Sequence, residues 1–247
     1  MVHDLPLRDH GALDYVPLEK LTIARPVDRI DHIRQTCSQR RVLDLGALDE
    51  TAYRQKRGTS AWLHTEIARF ALEVVGIDRS PLVPEAGLRT AGNATIHRCD
   101  EVRLPELLES LRFEPDVVVA GELIEHVPCP LEFLQGLRSI KQLAGKRLLL
   151  TTPNATAFHN VLIAVSGRES THRDHLCILS YKTLTTLLSR AGFERFGLRP
   201  YFARFPEMAG RHRGWRAALV SGGERGVNAI EWLFPLLSFG WIVEAEI

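Results

Sequence analysis

Short, almost wholly apolar runs alternate along this chain with longer stretches whose apolar residues recur at helical spacing. RVLDL (41–45) runs straight into Gly46, and VVGID (74–78), ATIHRCD (94–100), PDVVVAGE (115–122) and KRLLLTTPN (146–154) repeat the theme. Such runs predict strands buried on both faces, and Val117, Val118 and Val119 suit a central position in a parallel sheet. Between the runs fall the stripes. Leu63, Ile67, Phe70 and Ala71 stand at i, i+4, i+7 and i+8, and Leu131, Leu134, Leu137 and Ile140 also recur at helical spacing, so each set predicts a helix packed on the sheet. A weaker helical pattern covers 27–40. After the fifth run, which Pro153 ends, 155–165 reads as helix. Leu184, Leu187, Leu188 and Ala191 then line one face of a helix that Ser180 caps and Gly192 stops. FERFGLRPYFARF and GWIVEAEI predict a sixth and a seventh strand.

This alternation predicts an α/β fold: a doubly wound, mostly parallel seven-stranded sheet with helices on both faces, whose ligands bind at the carboxyl ends of the strands. The 247 residues, 45% of them hydrophobic, can bury one large core. The expected organisation is an N-terminal arm over 1–26 and a single domain over 27–247, with substrate-side insertions around 155–180 and 200–230. Lys and Arg total 31 against 30 Asp and Glu, so the net charge of +1 gives no footprint for long DNA or an anionic membrane. Nucleic acid is therefore not the expected partner. Cys37, Cys99, Cys129 and Cys177 lack CxxC spacing and MVHDLPLRDH lacks a signal-peptide core, which points to a reducing cytoplasm. No run approaches the ~18 apolar residues of a membrane span. The longest candidate, WLFPLLSFGW, contains Pro235 and Gly240 and is read as core packing of a last helix and strand rather than as a membrane-facing segment.

Acids sit at the strand ends: Asp44 in RVLDLG, Asp78 in VVGID, Asp100 in HRCD and Glu122 closing the fourth run. A carboxylate ending the second strand can accept both hydrogen bonds of a ribose diol, and one ending the third can face an adenine amino group. Any one of them could simply cap the following helix. The set, in this order, favours a nucleoside-bearing cofactor, with Gly46 supplying the tight turn and Ala47 the next smallest side chain beside it.

In ELIEH, Glu122, Glu125 and His126 stand at i, i+3 and i+4 and would share one face of a helical turn. Two carboxylates and an imidazole can hold a divalent cation, completed by a histidine from elsewhere in the chain. Histidine as a general base without metal and a purely structural polar cluster are the other two readings.

VLDLG, GID, CD, DVVVAGELIEHVPCP and TTPN together resemble the motifs of class I S-adenosylmethionine-dependent methyltransferases, over roughly residues 27–200. LIEHV followed by a helix and TTPN is most similar to the methyltransferase type 11/23 group, which includes ubiquinone-pathway O-methyltransferases and small-RNA 2′-O-methyltransferases. The resemblance implies cofactor contacts at Asp44, Gly46, Ala47, Asp78, Arg79, Asp100, Glu101, Gly121 and Glu122. It also implies a Mg2+ or other divalent-cation site at Glu122, Glu125, His126 and His175, with His172 as the alternative and Asp174 placed to orient the ring. His126 and His175 are the implied catalytic residues. The chain departs from the family where GxGxG gives way to GALDE and where Asp44 and Asp78 lie 34 positions apart, leaving an enlarged loop before WLH. Ser60, Trp62 and His64 could border the cofactor there, although Trp62 and His64 read more naturally as packing at a helix start.

The expected activity is methyl transfer to a hydroxyl of a sugar, glycan or small metabolite. The alternatives are an RNA-end 2′-O-methyltransferase, which would ask for a basic groove, and a cofactor-binding partner subunit without catalysis. A nicotinamide-dependent reductase is disfavoured, because GxGxxG is absent and Tyr181–Lys182 does not have Tyr-x-x-x-Lys spacing.

Overall fold

In a computed structural model that describes residues 8–9, 18–49, 53, 62–100, 102–204 and 214–247, all seven expected strands form and lie in one sheet. In chain order the strands are β1 (Arg8–Asp9), β2 (Arg41–Leu45), β3 (Glu73–Asp78), β4 (Leu88–Ala91), β5 (Ala94–Arg98), β6 (Val117–Gly121), β7 (Arg147–Pro153), β8 (Arg195–Tyr201) and β9 (Gly240–Glu246). They are ordered β1-β8-β9-β7-β6-β2-β3-β5-β4. The five strands from β5 to β7 run parallel, and β9 lies antiparallel between β7 and β8. β1 and β4 bring the described count to nine where seven were expected. Each adds an antiparallel edge, and neither two residues nor the sequence LRTA carries an apolar run for pattern to detect.

The described helices are α1 (Arg29–Cys37), α2 (Leu63–Phe70), α3 (Leu104–Leu111), α4 (Pro130–Ser139), α5 (Phe158–Val165), α6 (Tyr181–Arg190) and α7 (Trp215–Leu233). Strand residues alternate between two cores. Val42, Val117, Val119 and Leu149 meet Ile33 of α1 and Ile67 of α2 on one face. Leu43, Val118, Leu148 and Leu150 meet Leu108 of α3, Leu134 of α4 and Leu184 of α6 on the other. Both faces being covered is why the strands read as continuous apolar runs. Helix starts follow local chemistry: the Asp28 carboxylate accepts from the Asp31 N–H at 2.9 Å, and Ser180 and Thr183 form a capping box.

The last long helix and strand divide the expectation for WLFPLLSFGW. Trp241 is buried in the core, as are Ile242 and Val243 after it, whereas Trp232, Leu233, Phe234 and Leu236 stand exposed.

A buried polar relay ties β2, α2 and β4 together. His64 Nδ1 lies 2.8 Å from Asp44 Oδ2, and His64 Nε2 lies 2.8 Å from Thr90 Oγ1. Gly76 makes room for it: a Cβ there would fall 3.0 Å from His64 Cε1 and 2.8 Å from the Ala47 Cβ. Beside the relay, the indole of Trp62 donates to the Ala47 carbonyl at 2.8 Å and packs with Leu48, Val83 and Ile96. His64→Leu strands a carboxylate in the core, and urea denaturation is expected to show a loss of about 3–5 kcal/mol. Asp44→Asn in the His64→Leu background should recover most of it.

Candidate active site

The carboxyl ends of the parallel strands meet at a turn that only glycine fits well. Gly46 has φ +69°, and its N–H and that of Ala47 both donate to the Ile77 carbonyl, at 2.9 and 3.1 Å. This fastens the end of β2 to the end of β3. A Cβ on Gly46 would also meet Leu123 Cδ1 at 2.8 Å. The next amide, Leu48 N–H, donates to Asp78 Oδ2 at 2.9 Å, and Ser80 N–H donates to Oδ1 at 2.9 Å, so the Asp78 carboxylate is aimed by backbone on both sides. A cleft opens here. Its polar rim is formed by Asp78, Arg79 and Asp100, and its apolar wall includes Leu123, Val127, Phe133 and Leu137.

On the other side of β6, Glu122 and Glu125 part company. The segment forms a short 3-10 turn, Ile124–His126, and Glu122 precedes it with φ +52°. Glu122 therefore points away from its neighbours: its Oε1 accepts from the Tyr201 hydroxyl at 2.9 Å and lies 3.1 Å from Arg29 Nη1. Burial, with the Glu122 charge beside it, pushes the Tyr201 hydroxyl up and keeps it a donor. Glu125 turns inward, fully buried, with Oε2 accepting from Thr152 Oγ1 at 3.0 Å.

Glu125, His126 and His175 then converge, with one ligand atom from each lying within 4.8 Å of the others. The loop carrying His175 is held by the Leu176 N–H, which donates to the Glu125 carbonyl at 2.7 Å, while His126 Nδ1 lies 3.1 Å from the Asp174 carbonyl. The rings of His126 and His175 pack edge to face at 4.7 Å, and His172 stands 5.7 Å from His175. Two buried atoms of the cluster, Glu125 Oε1 and His175 Nδ1, have no hydrogen-bond partner. Burial, reinforced by the Glu122 carboxylate, pushes Glu125 up to about 8. Burial, and then the nearby His126 and His172, push His175 down, so its imidazole stays neutral.

The sequence model of a methyltransferase domain matches residues 21–195, most of the chain. The chain belongs to the class I S-adenosylmethionine-dependent methyltransferases. No curated protein sequence matches it significantly. Among solved structures, a SAM-dependent methyltransferase from Archaeoglobus fulgidus is 17% identical with a TM-score of 0.49, over 88% of this chain and 92% of that one. The small RNA methyltransferase HEN1 is 15% identical with a TM-score of 0.52, over 93% of this chain and 27% of that one. The [4+2]-cyclase SpnF is 18% identical with a TM-score of 0.49, over 88% of this chain and 79% of that one. At 15% identity the likeness to the small RNA methyltransferase HEN1 is one of fold alone.

Within this methyltransferase, Gly46, Asp78, Arg79 and Asp100 line one cleft, as their positions at strand ends suggest. Asp44 and Ala47 lie behind that cleft: Asp44 is paired with His64, and Ala47 packs against Trp62. Gly121 ends β6 under Leu63, whose Cδ2 would be 2.3 Å from an added Cβ. Glu101 and Ser60, and most of the enlarged loop between Leu48 and Leu63, lie outside the described residues. Of the apolar wall only Leu137 was named in the sequence, as helix packing, and Arg29, Tyr201 and Thr152 were not singled out as site residues. Only the i, i+4 spacing of Phe133 and Leu137 after Pro130 could have flagged the wall, and nothing local flags the others.

The Glu125 carboxyl yields a sign-specific test. Its folded pKa stands above the ordinary 4.5, so the stability it contributes is fully present below about pH 4.5 and is lost as pH rises toward about 8. In the presence of chelator, Glu125→Gln should match the native protein near pH 4.5. It should pull ahead by roughly 2–4 kcal/mol by pH 9 in thermal or urea unfolding.

Proposed function

We infer that this methyltransferase carries the S-adenosylmethionine methyl group to a hydroxyl oxygen of a sugar, glycan or small metabolite. The observation that carries the reading is the convergence of Glu125, His126 and His175, with two orphaned buried atoms, beside the cofactor edge. Among the described residues, a carboxylate oxygen and two imidazole nitrogens form the donor set that a Mg2+ or similar divalent cation accepts, and the unpartnered atoms fit that demand. Such a cation, when bound, lowers the pKa of a poorly nucleophilic hydroxyl. The chain's own residues do the rest. Thr152 orients the Glu125 carboxylate, the neutral His175 keeps a nitrogen lone pair available, and the Asp174 carbonyl faces one nitrogen of the His126 ring. Glu122 belongs to the supporting layer, committed to Arg29 and Tyr201.

For the cofactor, Asp78 is the residue to accept the ribose hydroxyls and Asp100 to face the adenine, with the ring against the apolar wall of Phe133 and Leu137. The Gly46 turn brings backbone close to the cofactor without a side chain in the way. The loop from Asp174 to Leu176 and the exit of β7 border the acceptor side.

Calorimetric titration with S-adenosylhomocysteine should give binding that Asp78→Ala weakens by about tenfold or more, the loss expected for charge-assisted hydrogen bonds. No binding at high micromolar concentration would remove the cofactor assignment.

In a methyl-transfer screen of glycans and small polyols against RNA, Glu125→Ala and His175→Ala should each abolish turnover while leaving homocysteine-product affinity within about twofold, because neither residue lines the cofactor cleft. Undiminished activity in chelator would reassign His175 as a general base.

A further inference from the structure

α5 is an anomaly of burial. Its sequence, FHNVLIAV, holds no lysine, arginine or acid, yet none of its residues is buried, and Val161, Leu162 and Val165 are 55%, 51% and 85% exposed. An apolar helix of a globular protein normally turns such residues onto a core. The end of α7 and the short turn after it repeat the pattern, with Trp232, Leu233 and Phe234 at 50%, 57% and 59% exposure. The two sets belong together. α5 packs against α7, and the loop leading into α5 is stapled to the turn after α7, because Asn154 Nδ2 and Thr156 Oγ1 both donate to the Leu236 carbonyl, at 2.9 and 2.8 Å. An exposed apolar set of this kind marks an interaction surface rather than ordinary surface scatter.

The rim says what lies against it. The Arg25 guanidinium sits 4.2 Å above the Trp232 ring and donates to the Trp232 and Leu233 carbonyls, which places a cation and an indole together at one border. At the other border the chain closes α5 with the Arg168 N–H donating to the Ile163 carbonyl, and exposed Arg168 and Arg173 follow. Glu169 and Asp174 are exposed in the same segment and offset these two charges, Asp174 lying 3.6 Å from His172, so the Arg25 border gives the rim its cationic character. An aliphatic centre without charge, an indole at its edge and guanidinium groups around it match the layering of a bilayer interface, where acyl chains meet aromatic rings and then anionic headgroups. The polar side chains of α5 are those of His159 and Asn160. Both are engaged within the chain, His159 stacking on Phe239 at 4.7 Å and Asn160 Oδ1 accepting from Ser170 Oγ, so the outward centre of the face is aliphatic.

We propose that the face formed by α5 and the C-terminal end of α7 docks this methyltransferase on the surface of an anionic lipid bilayer. The attachment is peripheral: among the described residues no helix is long and apolar enough to cross a membrane. The overall charge of +1 does not oppose it, because only charge near the face acts at the short range of ionic screening. The inference does not depend on the hydroxyl acceptor, and its test reads binding alone.

The full chain should co-float with vesicles of about 30 mol% phosphatidylserine in phosphatidylcholine, with a blue shift in tryptophan emission that Trp232→Phe removes. Val165→Asp and Leu162→Asp are exposed substitutions that leave folding intact, and each should raise the lipid concentration for half-binding by about tenfold. Arg25→Gln with Arg168→Gln should weaken binding to the anionic vesicles and leave the weaker binding to pure phosphatidylcholine unchanged. Failure to float with either vesicle overturns the proposal. So does a dimer in sedimentation that Val165→Asp dissociates, because the face would then be covered by a second copy.

Discussion

The turn at Gly46 governs the geometry of the whole carboxyl edge. Two successive N–H groups, of Gly46 and Ala47, converge on one carbonyl at the end of β3, and the next amide holds the Asp78 carboxylate. Such an arrangement requires a left-handed residue without a side chain, since Leu123 occupies the space where a Cβ would go. Here one glycine suffices because Ala47 is withdrawn into the core, where Trp62 and His64 hold it from behind. The relay from Asp44 through His64 to Thr90 then fixes the start of α2 relative to the sheet, behind the Gly46 turn.

Electrostatics divide the two glutamates of ELIEH. Two carboxylates three residues apart would repel if both faced the same dry space. The left-handed backbone at Glu122 sends one to Arg29 and Tyr201, which compensate its charge. The other enters a buried pocket, where burial pushes its carboxyl up to about 8 and favours the protonated form at neutral pH. The same environment keeps His175 neutral.

The two sides of the sheet's carboxyl edge are built differently. The side that holds the Gly46 and Asp78 cleft is a junction of parallel strands, each bonded on both flanks. The opposite side is made of α5, α7 and the loop that carries His172 and His175, elements that present apolar and cationic surface outward.

Strand and helix positions were legible because a segment buried on both faces must be apolar at nearly every position, and a segment buried on one face must repeat with the helix. That information is local. It placed all seven main strands and the acids that end them, and it put Gly46, Asp78, Arg79 and Asp100 along one edge. It could not show that Asp44, in the same run, faces the core and His64, because the sign of a side chain's exposure at a strand end depends on what the next helix brings against it. Nor could helical spacing predict the fate of Glu122, since one residue in a left-handed conformation redirects the carboxylate. The meeting of Glu125 with His175, fifty positions later, was suggested by resemblance, and only the packing of the loop against β6 and β7 brings the two side chains together. The sequence by itself determined which segments must be buried. Tertiary structure decided which polar groups face one another, because burial is recorded in residue type along the chain whereas pairing is set by distances across it.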